Sequence, residues 1–252
     1  MRKIFLIAAF IEGFSVMAIE VAGARIIIPV YGTSLTSWSL VLAITLFGLA
    51  AGYYMGGKIS HLYLHKIKLE HLLFATGIVL IAIPFYSKLL LFSSLSLSFL
   101  PGLILSLFII IFPPLILLGA VTPIIIHHFD KNVGRAGLSA GNVFALSTLG
   151  GIIGALLCGI YLLPTFGIRI TIISIGIILF ILAAVITSLN SIKLISVLFL
   201  SISLILVGTK SKKNTSQKIK ILYSSEGILG QVKVVQFPFR NNLNENQCMY
   251  SA

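Results

Sequence analysis

Acidic side chains are scarce in this chain of 252 residues: six Asp and Glu stand against 18 Lys and Arg. Charge of either sign is missing from long stretches. Ile26 to Gly57, Leu89 to Ile126 and Ala136 to Ile168 contain no Asp, Glu, Lys or Arg. Crossing a bilayer takes about 20 apolar residues as a helix, and a soluble core in so short a chain cannot hide this much apolar surface. An ordinary soluble domain is therefore excluded. Cysteine is nearly absent, with Cys158 inside an apolar run and Cys248 in the tail. Neither has CxxC or metal-site spacing, so no disulfide framework or zinc site is implied. A basic groove interleaved with aromatics is also missing, which removes nucleic acid as a partner.

What is present is apolar and basic. Hydrophobic residues make up 58% of the chain and mean hydropathy is +1.11. The pattern predicts an all-α polytopic membrane helical bundle of about seven transmembrane helices, near 4–30, 35–57, 69–92, 99–126, 139–163, 167–188 and 192–208, with a short C-terminal β segment. The first apolar segment begins with Arg2 and Lys3, as signal peptides do, but runs on to about Val30 without a small-residue cleavage site. It is expected to be a retained span. The fourth segment holds Pro113, Pro114 and Pro123, where kinks are expected because proline removes a backbone donor. The organisation read from composition is a helical domain over 1–208, a basic linker over 209–220 and a mixed segment over 221–252.

The formal net charge of +12 sits mainly at span ends and in the tail, where Lys and Arg meet lipid headgroups. The basic loops around Lys66 and Lys68 and around Lys131 and Arg135 belong with the N-terminus on the cytoplasmic side. Seven spans then place the tail outside, whereas Lys210, Lys212, Lys213, Lys218 and Lys220 argue for inside. The expected location is a cell membrane of the bacterial inner-membrane kind, with the bilayer itself as principal partner; homo-oligomerisation is left open.

Small residues recur at helix-packing spacing. Gly48, Gly52 and Gly56 form one line, and Gly151, Ala155 and Gly159 form another. In lipid such residues let backbones approach closely. A short echo links Pro29-Val-Tyr-Gly32 to Pro164-Thr-Phe-Gly167, each a turn beside a span end.

Charged residues inside the spans are the candidates for function. Glu12 and Glu20 lie in the first segment, where a charge at the bilayer centre costs about 2.5–3.5 kcal/mol. One reading makes them part of a polar pocket or ion path; the other has them protonated or paired with a basic residue from another helix. Arg25, near the span end, can snorkel to the interface. Asn142 and Ser147 can hydrogen-bond across helices. His61 and His65 stand four apart, as on a metal-binding helix face, but without an acidic or cysteine companion they read as interfacial. No metal site and no catalytic residue is assigned.

Taken in order, these motifs resemble one family. Glu20-Val-Ala-Gly-Ala-Arg25, Pro29-Val-Tyr-Gly-Thr-Ser34, Trp38 and Gly52-Tyr-Tyr-Met-Gly-Gly-Lys58 look like the opening of membrane-bound, fused transporter-like/spermidine synthase proteins. Gly119-Ala-Val-Thr-Pro123 and Gly134-Arg135 look like its middle. Gly141-Asn-Val-Phe-Ala-Leu-Ser-Thr-Leu-Gly150 and Pro164 to Arg169 look like its later spans. The match covers most of residues 12–170, with one departure: Ser147 stands where the family usually has Asn before Thr. Tyr223 to Val235, alternating over Gln231 to Val234 as a half-buried strand does, resembles the first strand segment of the family's synthase domain. The resemblance implies transfer of an aminopropyl group from decarboxylated S-adenosylmethionine to putrescine by the whole family. Past Val235 this chain has one acid, Glu245, and no glycine, so the glycine-rich loop that would approach a nucleoside ligand is absent. The expectation is a membrane domain with a truncated synthase start, no cofactor of its own, and a soluble synthase domain or separate chain as partner. The alternatives are a small-solute or polyamine transporter-like module, or a membrane scaffold for a separate soluble enzyme.

Overall fold

The computed structural model describes residues 2–62, 69–129 and 136–187, together with the backbone of three short strands further on. The expected seventh span at 192–208, most of the basic linker, His65 and the basic loops at 63–68 and 130–135 lie outside the described residues. The helices are α1 (Arg2–Tyr31), α2 (Leu35–Leu62), α3 (Leu69–Ser94), α4 (Phe99–Ile110), α5 (Phe112–Phe129), α6 (Ala136–Leu157), a π-helical turn (Cys158–Leu162) and α7 (Leu163–Ile186).

Five stretches among the described residues are long and apolar enough to cross a bilayer, the last being Gly137–Ile186 at 50 residues. That stretch is two passes. Gly167 has φ 76° and ψ 169°, which no helix tolerates and which glycine adopts without a Cβ penalty. Beyond it, the Thr171 hydroxyl donates to the Leu162 carbonyl at 3.2 Å, nine residues back. Nine residues of straight helix would span about 13 Å, so the chain has folded back on itself. The turn between α1 and α2 is built the same way, on Gly32 with φ 71°. There Ser34 caps α2 by accepting from the Ser37 backbone N–H at 3.1 Å, which satisfies one of the orphan donors of a helix start.

The proline-rich fourth segment divides at Ile111 into α4 and α5 without leaving its path. Ile111 stays in the right-handed helical region and its N–H reaches the Leu107 carbonyl at 2.8 Å. Pro113 and Pro114 lack the N–H groups that would continue the ladder, which explains the break at that point.

Helix directions test this count. Gly48, Gly52 and Gly56 of α2 meet, in rising order, Leu115, Gly119 and Pro123 of α5, so those helices run parallel. Phe10, Phe14 and Val21 of α1 meet Gly150, Gly154 and Gly159, so α1 and α6 also run parallel. Gly77 meets Gly176 and Phe74 meets Phe180 at 5.0 Å between ring centroids, so α3 and α7 run antiparallel. A chain that reverses at every connection, with α4 and α5 as one pass, requires all three relations. Treating α4 and α5 as separate crossings would reverse all three.

The bundle is apolar outside as well as inside. Leu149, Ile152, Ile153, Leu156 and Ile160 form an exposed face of α6 and the turn after it. Monomeric soluble proteins do not leave such a face bare, and lipid is the solvent it suits. The described helices are those of a multi-pass membrane bundle. Outside it, β1 (Lys220–Gly227), β2 (Gly230–Gln236) and β3 (Met249–Ser251) lie in that order in one antiparallel sheet.

The alternation predicts which turns share a side. In a background with Cys158 and Cys248 replaced by serine, Thr33→Cys and Ser96→Cys should react with an impermeant maleimide from one face of intact vesicles. Lys58→Cys and His128→Cys should react only from the other. Labelling of all four from one side would overturn the serpentine path.

Candidate functional site

Glu12 is placed by the closest helix contact in the bundle. A side chain at Gly13 would collide with the backbone of Ser147, one at Gly150 with that of Phe10, and one at Gly154 with that of Phe14. Only glycine at these positions lets α1 and α6 come together backbone to backbone. This approach carries the Ser147 hydroxyl across to Glu12, where it donates to Oε2 at 2.7 Å. Glu12 is 1% exposed. Counted from the helix starts, Glu12 and Ser147 both lie about 15 Å along their helices, so the pair sits at one depth within the bundle.

Two further helices converge on this carboxyl. Thr122 of α5 stands close enough to act on the charge of Glu12. Its own hydroxyl oxygen is buried and has no hydrogen bond of acceptable geometry among the described residues. Tyr53 of α2 lies within range of the same charge and packs its ring edge-on to Phe144 of α6 at 6.5 Å. No ion pair to Glu12 is found among the described residues. A carboxyl bonded by a hydroxyl, with no cationic partner among the described residues, is an expensive arrangement in a low-dielectric interior.

The sequence position of this pair is itself informative. Glu12 and Ser147 are 135 residues apart, and so are Pro29 and Pro164, and Gly32 and Gly167. The two glycines are the positive-φ glycines among the described residues. The offset that relates the two turns therefore also relates Glu12 to Ser147, and these two positions are in contact.

The remaining candidates scatter. Glu20 is buried at 9% exposure, two turns beyond Glu12, and no hydrogen bond or ion pair to it is found among the described residues. Arg25 engages other groups and lies close enough to Cys158 for its charge to act there. The Cys158 thiol donates to the Ala18 carbonyl at 3.6 Å within the α1 seam. Asn142 is on the outer side of α6. It lines a cleft of about 320 Å³ with Leu6 of α1, Phe129, Ser139, Ala145 and Leu149, apart from the Glu12–Ser147 contact. Gly48, Gly52 and Gly56 all face α5. Gly151 contacts the Met17 side chain, and Gly159 only approaches Val21 at 3.9 Å from an added Cβ; the tight line on α6 runs one residue earlier, through Gly150 and Gly154. Ser147 and Thr122, not the acids alone, define the site, and spacing could have flagged them: each lies in a stretch singled out for its motif. Among the described residues no group of three His, Cys, Asp or Glu could hold a metal ion.

No protein-family model, curated protein or solved structure matches this chain.

The hydroxyls predict an asymmetric pair of variants. Ser147→Ala removes a donor from a buried carboxyl and should lower the thermal midpoint in detergent, by about 0.5–2 kcal/mol of stability. Thr122→Val replaces an unbonded buried hydroxyl with an isosteric apolar group and should hold the midpoint or raise it. Equal losses in both variants would show that Thr122 is bonded in solution.

Proposed function

We propose that this chain is the membrane domain of a spermidine synthase-like protein, and that its bundle handles a small cationic solute of the polyamine class. One observation carries the solute-handling part: Glu12, a carboxyl 1% exposed, is held by Ser147 where α1 meets α6. A buried acid without a basic partner is the feature that recognises a cation, and intramembrane acids mark such paths more often than they mark scaffolding.

The family part rests on the motifs. The stretches that resemble the family meet in space: Gly52 and Gly56 pack on Gly119, Ala120 and Pro123. The Gly141–Gly150 stretch supplies Ser147, and Gly32 and Gly167 make the two positive-φ turns. Aminopropyl transfer belongs, in this reading, to a catalytic part carried on a longer chain or on a separate one. The hairpin of β1 and β2 coincides with the stretch that resembles the start of the synthase domain. It favours a second role beside the first, in which the bundle holds that soluble part at the membrane.

Proteoliposomes containing the purified chain should accumulate radiolabelled putrescine or spermidine above protein-free controls. Glu12→Gln should cut that uptake at least tenfold while Glu20→Gln leaves most of it. Uptake equal to the controls in the wild type would remove the solute-handling function. Full uptake in Glu12→Gln would remove the residue.

A further inference from the structure

We infer that the cleft between the start of α1, the end of α5 and the start of α6 binds one anionic phospholipid, its phosphate against Lys3, Ser139 and Asn142 and an acyl chain along α6. The inference is independent of Glu12 and of any transported solute. It starts from the order of residues along one face of α6. Ser139, Asn142, Ala145, Leu146 and Leu149 line the cleft, and steps of three and four keep them on one side of the helix. The polar pair comes first and the apolar three follow further along. Leu6 of α1 and Phe129 of α5 complete the walls. The cleft therefore changes from polar to apolar in the direction in which a lipid changes from headgroup to chain.

The polar end carries positive charge. Contacts along the α1 seam pair Glu12 with Ser147 and Phe10 with Gly150, so Lys3 falls level with the first two turns of α6, where Ser139 and Asn142 stand. Lys3 is exposed and precedes Leu6 by three residues, which places the two on one face of α1. Because α1 and α6 run parallel, two helix N-termini open at this end, and each favours an anion. Glu12, Glu20 and Glu70, the acids whose side chains are described, do not line the cleft, so the amine of a zwitterionic headgroup finds no acidic partner among them. Basic pockets between membrane helices take anionic headgroups.

The polar pair and the open side decide between a lipid and a soluble anion. Asn142 is exposed on the outer side of the bundle, and no hydrogen bond to its carboxamide or to the Ser139 hydroxyl is found among the described residues. An outward carboxamide without a bond is costly in an apolar setting. It stands about 9 Å along α6, where a phosphate level with Lys3 accepts from it. Leu149 is 52% exposed, so the apolar end of the cleft is open to the bilayer from the side. A soluble anion leaves that end uncovered, whereas an acyl chain covers it.

The test is native mass spectrometry of the full chain in a neutral detergent. Phosphatidylglycerol, phosphatidylcholine with the same chains, and glycerol 3-phosphate are each added at rising concentration. One phosphatidylglycerol should be retained, with half-saturation roughly tenfold below that of phosphatidylcholine, and glycerol 3-phosphate should not be retained. Lys3→Gln and Asn142→Leu, both at exposed positions and expected to fold, should each weaken phosphatidylglycerol about fivefold. Ala145→Trp, which fills the cleft, should abolish the preference between the lipids. Lys58→Gln removes a cation that stacks over Tyr54 at the same end of the bundle, outside the cleft, and should change nothing. Equal retention of the two lipids would overturn the site. So would equal weakening in Lys3→Gln and Lys58→Gln, which would show diffuse attraction to a basic surface. Retention of glycerol 3-phosphate would make it a site for a soluble anion, and unaltered binding in both Asn142→Leu and Ala145→Trp would place the lipid elsewhere.

Discussion

The backbone contact between α1 and α6 is the constraint on which the rest of the bundle depends. In lipid there is no gain from removing apolar surface from water, so helices associate through packing and polar contacts. The glycines at 13, 150 and 154 convert two apolar cylinders into a close-fitting pair. Once that seam is closed, the depth of Ser147 relative to Glu12 is fixed, and so is the hydrogen bond between them. The parallel seam of α2 with α5 does the same work on the other side, through Gly52, Gly56 and Gly119. It sets Thr122 and Tyr53 around the same carboxyl. Two glycine seams thus deliver four helices to one acidic side chain. At the opposite end of α1 a polar contact takes over, where the Tyr31 hydroxyl donates to Ser94 at 2.7 Å.

Much of the fold is legible in the sequence because lipid enforces a simple rule. Every backbone polar group must be satisfied within its own segment, so charge-free runs of sufficient length become helices, and their approximate ends follow from where charge and turn residues return. Gly48, Gly52 and Gly56 share the face of α2 that lies against α5, and their spacing of four is plain in the sequence. On α6 and the π-helical turn after it four glycines crowd together between 150 and 159, and the one-dimensional pattern cannot say which of them make the closest approach. The Gly151 and Gly159 line also meets α1, through Met17 and Val21, but the line through Gly150 and Gly154 comes closest, against the backbone of Phe10 and Phe14. The break at Ile111 follows from the prolines, but sequence alone does not reveal that the path continues straight through it.

The site was half legible. Glu12 stands out as a charge where charges are costly. Its partners do not, because a lone serine or threonine in an apolar helix is common and usually bonds its own preceding carbonyl, as Thr76 and Ser106 do here. Ser147 reads from sequence as a residue able to hydrogen-bond across helices, but nothing in the sequence names Glu12, 135 residues earlier, as its partner. Asn142, the more conspicuous polar residue on α6, faces outward by a rotation that one residue of register decides. Glu20 and Arg25 are close in sequence but belong to different surroundings, since the latter lies near Cys158.

The parallel relation of α1 and α6 has a consequence for the chain that joins them. Parallel neighbours cannot be linked by a short turn, and the connection here returns through α2, α3 and the continuous α4–α5 pass. The seam that holds Glu12 against Ser147 is therefore a contact between the first pass and the fifth, across 135 residues of chain, and contacts of such separation carry a large loop-closure cost.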